Sequence, residues 1–160
     1  MSEKIKGISV LFCVYLAALG AGWWVNSTAG YGLLADSALA VATAVGVIFI
    51  GSRLFNNSSV FDPYWSIAPP PMVLLYSHGS DDSSRTMIII MLTLAYAVRL
   101  TWNFLHGWPG LHHEDWRYAD FRRNTGKAYW LVSPGGIHIF PAPVGFGGTP
   151  SIWAAGAGDA

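Results

Sequence analysis

The sequence predicts an all-α protein, a polytopic membrane helical bundle with about four to five spanning segments. Three observations predict this fold class: 52% of the 160 residues are hydrophobic, only 11% are charged, and the apolar residues form long continuous runs. Soluble domains carry about 25% charged residues, so the bilayer is the expected solvent. The length fits one compact domain.

The first two apolar runs, residues 5–25 and 33–55, are each long enough to be a spanning helix. Such a helix needs roughly 20 predominantly apolar residues. The first run follows two lysines and ends near Trp23 and Trp24, which are typical of a membrane interface. A cleaved signal peptide is the alternative for this run, because residues 17–21 are small.

The third and fourth apolar runs differ in how well they fit a helix. Residues 86–108 form a continuous run that predicts a spanning helix. Residues 64–76 are interrupted by three prolines at 69–71, which remove three backbone donors. We therefore expect no regular helix at the prolines, and irregular backbone that is buried in protein or lines a cavity.

The residues after the fourth run change in composition. A possible fifth run begins at Ala128, but it soon fills with proline and glycine, which predict a poor helix. We expect a membrane helical domain over residues 1–133 and an irregular tail rich in Gly, Pro and Ala over residues 134–160.

The distribution of cations predicts the orientation in the membrane. If all four runs cross the bilayer from a cytoplasmic N-terminus, most lysines and arginines lie on the cytoplasmic side, as the positive-inside rule requires. The loop of residues 109–127 is then cytoplasmic as well. The sequence leaves the endoplasmic reticulum and other membranes equally open. A formal net charge of zero gives no indication of a nucleic-acid partner.

Polar residues recur on one face of the fourth run. Tyr96, Arg99, Asn103 and His106 are spaced three, four and three residues apart, which places them on one side of a helix. Ionisable groups within a membrane usually face a bundle interior or a wet cavity, and an arginine suits a phosphate or carboxylate. The alternative is that Arg99 and His106 extend to the membrane interface.

The segment of residues 112–118 concentrates groups that carry out acid–base chemistry. Glu114 and Tyr118 can polarise a carbonyl group or relay a proton, and Arg117 can hold a phosphate. The alternative is a solvated helix with internal ion pairs. The histidines of this region and Asp115 fit no standard zinc spacing, so no metal site is predicted.

The segment between the second and third runs is a further candidate. Asp62 precedes Pro63, so we expect its backbone to be extended. Asp62, Tyr64 and Trp65 are candidates for lining the mouth of a substrate pocket. The alternative is a turn with an aromatic anchor at the interface.

Residues 57–66, 99–103 and 113–118, in this order and approximate spacing, resemble segments of a membrane protein family related to the steroid 5-alpha reductases. The resemblance covers roughly residues 33–132. It implies an all-helical membrane fold and the reduction, with NADPH, of a carbon–carbon double bond conjugated to a carbonyl group in a sterol-like or other lipid.

The resemblance also implies roles for individual residues. Glu114 and Tyr118 become candidate catalytic donors to the enolate oxygen of the substrate. The substrate pocket is then lined by Asp62, Tyr64 and Trp65. The residues that the resemblance suggests for the cofactor are Arg99, Asn103, Asp115 and Arg117.

The resemblance further implies later spans and a carboxyl-terminal region that complete the NADPH site. The sequence departs from this pattern at Pro134. We therefore expect a partial reductase-like domain from about residue 33, inactive by itself, and a possible partner chain that covers the incomplete bundle. The alternatives are a non-enzymatic membrane scaffold or lipid-binding protein, and an isoprenylcysteine methyltransferase-like enzyme.

Overall fold

The computed structural model describes residues 2–77 and 83–139, which are helical almost throughout and contain no β-strand. The α-helices of these ranges are α1 (Glu3–Thr28), α2 (Leu33–Leu54), α3 (Tyr64–Ile67), α4 (Pro69–Ser77), α5 (Ser83–Gly107), α6 (Trp116–Thr125) and α7 (Tyr129–Ser133). Tighter 3-10 turns form at Ser58–Phe61 and Gly126–Ala128, and a π-helical turn forms at Pro134–Ile139. The predicted all-α class is confirmed.

Three helices of the described ranges, α1, α2 and α5, are long and apolar enough to cross a membrane. They correspond to the first, second and fourth apolar runs of the sequence. Their outer surfaces remain apolar and exposed, as at Phe12, Ile50 and Leu92, which are 65%, 56% and 66% exposed. These features indicate a membrane protein.

Helices α1 and α2 form an antiparallel hairpin that small residues allow to pack closely. A Cβ atom placed on Gly51 would lie 2.9 Å from Cγ1 of Val14, and one placed on Gly22 would lie 3.1 Å from the carbonyl oxygen of Ala40. Glycine is therefore required where the two helices approach each other.

The expectation of no regular helix at residues 69–71 is wrong. Helix α4 begins at Pro69, so the three prolines occupy its first turn. Backbone N–H groups in the first turn have no intrahelical partner, so their loss costs little there. The third apolar run is nevertheless divided between α3 and α4, and the nine residues of α4 extend only about 14 Å.

The two ends of the bundle are defined by hydrogen bonds between distant segments. Lys4 Nζ donates to the carbonyl oxygen of His106 at 2.9 Å, which places the start of α1 beside the end of α5. We call this end, where α2 also finishes at Leu54, the loop end. Thr101 near the loop end contacts Ser66 of α3 at 2.9 Å.

At the opposite end, the hydroxyl groups of Tyr76 and Ser37 lie 2.6 Å apart. Tyr76 is near the end of α4, and Ser37 is near the start of α2. Helices α3 and α4 therefore lead the chain from the loop end towards the opposite end of the bundle.

The beginning of the expected irregular tail is packed against α2. Ile137 and His138 are buried in the π-helical turn, and the imidazole ring of His138 lies 5.1 Å from the ring of Phe49. Residues 134–139 therefore form a packed helical turn and not the irregular backbone that the sequence led us to expect. The remainder of the expected tail, residues 140–160, lies outside the described residues.

Candidate functional site

Two polar segments that are far apart in the sequence meet at the loop end. The side-chain amide of Asn57 donates to the carbonyl oxygens of Leu111 and His113 at 2.8 and 2.9 Å. The backbone N–H of Asp115 donates to Ser59 Oγ at 2.8 Å. The residue ranges 57–66 and 113–118, two of the three predicted motifs, thus form one structural unit.

Glu114 lies at the centre of this unit and is held on both carboxylate oxygens. Arg122 donates to Oε2 from Nε at 3.0 Å and to Oε1 from a terminal nitrogen at 2.9 Å. Oε1 also accepts from the backbone N–H of Ser58 at 2.8 Å. The Arg122 guanidinium lies 3.9 Å above the Tyr129 ring, so a cation–π contact adds to the ion pair.

A second acid pairs with Tyr118. The Tyr118 hydroxyl donates to Asp62 Oδ1 at 2.6 Å. A terminal nitrogen of Arg117 lies 3.6 Å from the same oxygen, and Arg117 Nε donates to Asp115 Oδ1 at 2.7 Å. The Asp62 side chain is 16% exposed and that of Arg117 is 57% exposed, so the pair opens to its surroundings on the Arg117 side.

Burial changes the protonation of this pair. Loss of solvent raises the pKa of Asp62 to about 6, although the Tyr118 hydrogen bond and Arg117 act in the opposite direction. Burial, together with the Asp62 charge, raises the pKa of Tyr118 well above its usual range. Asp62 can therefore gain and lose a proton near neutral pH, whereas Tyr118 stays protonated.

Helix capping explains why Glu114 and Tyr118 have different partners. Helix α6 begins at Trp116, and the Asp115 carboxylate caps it by accepting the N–H of Arg117 at 2.9 Å. Glu114 precedes the helix and turns towards Ser58, whereas Tyr118 lies in the first helical turn and faces Asp62. The two candidate donors, Glu114 and Tyr118, thus have separate partners in the fold.

The predicted pocket residues lie next to the Tyr118–Asp62 pair. Tyr64 is buried, and its ring stacks on that of Phe61 at 4.9 Å. Trp65 is half-buried, with its ring 6.4 Å from that of Phe61 in an edge-on arrangement. The expectation of extended backbone at Asp62 is wrong, because Asp62 ends the 3-10 turn Ser58–Phe61 with helical angles, φ −55° and ψ −41°.

The third predicted motif is placed differently. The side of α5 that bears Ala97, Thr101 and Phe104 packs against the bundle, since Ala97 is buried, Phe104 packs on the core and Thr101 contacts α3. Arg99 and Asn103 lie roughly half a helical turn away and are exposed. The structure therefore does not bring these two residues to Asp115 and Arg117, the other predicted cofactor residues.

Asn57, Ser58 and Ser59 form hydrogen bonds with the segment 111–115, but they were not singled out as site residues from the sequence. The sequence feature that could have identified them is the run Asn56–Ser59, four polar residues between two apolar runs. Asn57, Ser58 and Ser59 are at most 1% exposed. Buried polar groups must be hydrogen-bonded, so such a run indicates partners elsewhere in the chain.

A protein-family model described as "Protein of unknown function (DUF1295)" matches residues 48–144, more than half of the chain. The chain belongs to the DUF1295 family. The matched DUF1295 region contains the contacts between residues 56–62 and 111–122, as well as α5 and α7. No curated protein and no solved structure matches the chain.

Proposed function

We propose that this DUF1295 protein is a membrane-embedded, reductase-like protein that acts on a conjugated carbon–carbon double bond of a sterol-like or other lipid. The DUF1295 family is associated with steroid 5-alpha reductase-like proteins. The observation that supports the proposal most directly is the Tyr118–Asp62 pair, a phenol and a titratable carboxyl group joined by a 2.6 Å hydrogen bond.

In the proposed mechanism Tyr118 is the proton donor. When Asp62 is protonated, its own O–H can donate to the Tyr118 oxygen, and the Tyr118 hydroxyl is then free to face a substrate oxygen. As the double bond is reduced and its carbonyl oxygen becomes negative, Tyr118 donates a proton and recovers one from Asp62. Such positioned acid catalysis contributes typically a 10²–10⁴-fold rate increase.

NADPH, when bound, would supply the hydride for this reduction. Among the candidate cofactor residues, Arg117 fits a phosphate group best, because its side chain is 57% exposed and lies beside the Tyr118–Asp62 pair. Asp115 orients Arg117 through their 2.7 Å contact. Arg99 and Asn103 are exposed on α5. They would contact the cofactor only if a further segment or chain packed against that face of α5.

The topology belongs to the same proposal. We infer that α3 and α4 together complete a fourth crossing, supported by their contacts with Thr101 near the loop end and with Ser37 at the opposite end. Seven of the nine lysines and arginines belong to segments at the loop end, which supports a cytoplasmic loop end under the positive-inside rule. They are Lys4, Lys6, Arg53, Arg117, Arg122, Arg123 and Lys127.

The test is NADPH consumption by the purified full chain in detergent with a 3-keto-4-ene steroid as the probe, and consumption would overturn the expectation that the chain is inactive by itself. We expect Tyr118→Phe to lower the rate at least 100-fold, because it removes the proton donor. Asp62→Asn should lower the rate and remove its dependence on pH near 6. The matched control is Tyr31→Phe, which changes an exposed phenol near the start of α2.

A chain that consumes no NADPH but binds the steroid saturably would instead support a non-enzymatic lipid-binding scaffold. This second function is favoured by one observation, the location of Arg99 and Asn103 away from Asp115 and Arg117. Activity that survives Tyr118→Phe would exclude Tyr118 as the donor.

A further inference from the structure

One side of α5 has the residue spacing of a helix–helix seam, and most of its side chains are exposed in the described part of the chain. Its members are separated alternately by three and four residues, which is the 3.5-residue period of a helix–helix seam. Leu92 is 66% exposed and Tyr96 is 49% exposed. We call the set the α5 stripe, and it comprises Ile89, Leu92, Tyr96, Arg99, Asn103 and His106.

Arg99 makes the exposure of the stripe costly in a membrane. It lies four residues from Ala95, the middle residue of α5, which is about 6 Å along the helix axis. The hydrocarbon core of a bilayer extends about 15 Å on either side of its centre. Arg99 makes no hydrogen bond or ion pair with any residue in 2–77 or 83–139. A charge at this depth requires a partner or a wet cavity.

We propose that the α5 stripe binds a membrane-spanning helix of another protein, and that this helix presents a carboxylate to Arg99. The alternating spacing matches a helical partner rather than a small anion. The guanidinium group can hold a carboxylate through two parallel hydrogen bonds. Asn103, one turn along the same stripe, can fix the register of the two helices as a single polar seam residue does in coiled coils.

Charge argues against a second copy of this chain as the occupant. Two copies inserted in the same orientation would pack their stripes in parallel, which places Arg99 beside Arg99 of the second copy. Like charges in apolar surroundings repel strongly. A carboxylate on a partner helix at the same position would instead attract Arg99.

This interaction goes beyond the proposed reductase function and does not depend on it. The binding test contains neither NADPH nor a steroid, so either proposal can fail while the other holds.

The experiment measures association in phosphatidylcholine vesicles between the full chain and a synthetic Leu/Ala-rich spanning peptide. The peptide carries one Glu at the depth of Arg99, and a second peptide carries Gln there. With fluorophores on the two amino termini, energy transfer should show at least fivefold tighter binding of the Glu peptide. Arg99→Gln should abolish the preference, and Arg123→Gln, an exposed cation of α6, should preserve it.

Equal binding of the two peptides, or a preference that survives Arg99→Gln, would overturn the proposal. A further readout addresses self-association. Cys13 is the only cysteine of the chain, so Leu92→Cys in a Cys13→Ala background places one thiol on the stripe. Rapid disulfide formation between two copies would assign the stripe to a second copy, whereas its absence supports a foreign helix.

Discussion

The Asp62 carboxyl group is largely removed from solvent, since its side chain is only 16% exposed. Arg117 and Tyr118 supply it with a nearby cation and a hydrogen-bond donor. Desolvation outweighs these favourable contacts, which is why its pKa rises. The folded protein therefore keeps the Asp62 proton up to a higher pH than an unfolded chain does.

This imbalance predicts a pH-dependent stability. The pKa of about 6 in the folded protein exceeds the value of about 3.9 in an unfolded chain. Between about pH 4 and 6 the folded protein holds a proton that the unfolded chain has released, so the free energy of unfolding falls as the pH rises, by about 3 kcal/mol from this group.

Thermal unfolding in detergent at pH 4.5, 5.5, 6.5 and 7.5, followed by circular dichroism, checks this expectation. Asp62→Asn should remove this component of the pH dependence. The control is Asp120→Asn, an exposed carboxylate 3.6 Å from Arg123, which should leave the decline in place. A decline of the same size in the Asp62→Asn variant would assign it to other groups.

At the scale of elements, hydrophobic run length was sufficient to predict α1, α2 and α5, because a spanning helix satisfies its own backbone and needs only apolar side chains. The same reasoning failed at residues 69–71. Proline excludes a helix interior but not a helix start, and composition alone does not reveal where a helix begins.

The site was predictable only in part for a related reason. The sequence identified Asp62, Glu114 and Tyr118 as candidate site residues, but it did not indicate which residues each of them contacts. In the structure Tyr118 contacts Asp62, 56 residues away, and Glu114 contacts Arg122, 8 residues away. Such pairings depend on how the loop of residues 109–115 closes on residues 57–62, which no local pattern specifies.

The α1–α2 hairpin predicts opposite effects for two glycines of one helix. Gly51→Ala should destabilise the protein by about 1–3 kcal/mol, because the added methyl group overlaps Val14. Gly46→Ala should be neutral or stabilising by up to about 1 kcal/mol, because nothing lies within 4 Å of its Cβ position and alanine favours a helix. Unfolding in mixed micelles with increasing dodecyl sulfate measures both, and equal effects would contradict the described packing.

At the scale of the whole molecule, the contact between Lys4 and His106 restricts the topology. Three crossings by α1, α2 and α5 alone would leave these residues on opposite sides of the membrane. In a membrane, their contact needs an even number of crossings between them, which supports the proposal that α3 and α4 together supply a fourth one.

Labelling of single cysteines tests this topology. In a Cys13→Ala background, Glu3→Cys and Lys127→Cys should react with an impermeant maleimide from the same side of sealed vesicles, and Tyr31→Cys from the other. Each position is exposed in the folded chain, so reactivity reports sidedness. Labelling of positions 3 and 127 from opposite sides would show that α3 and α4 do not cross.

The hydrogen bond between Lys4 and His106 also has a consequence for biosynthesis. Its partners are 102 residues apart in the chain, which a ribosome takes roughly 5–20 s to translate at about 5–20 residues per second. Because α2 follows α1 directly, it is the first helix with which the nascent α1 can pair. The hairpin is thus the first tertiary unit available to the insertion machinery, and the contact between Lys4 and His106 can form only after α5 has been made.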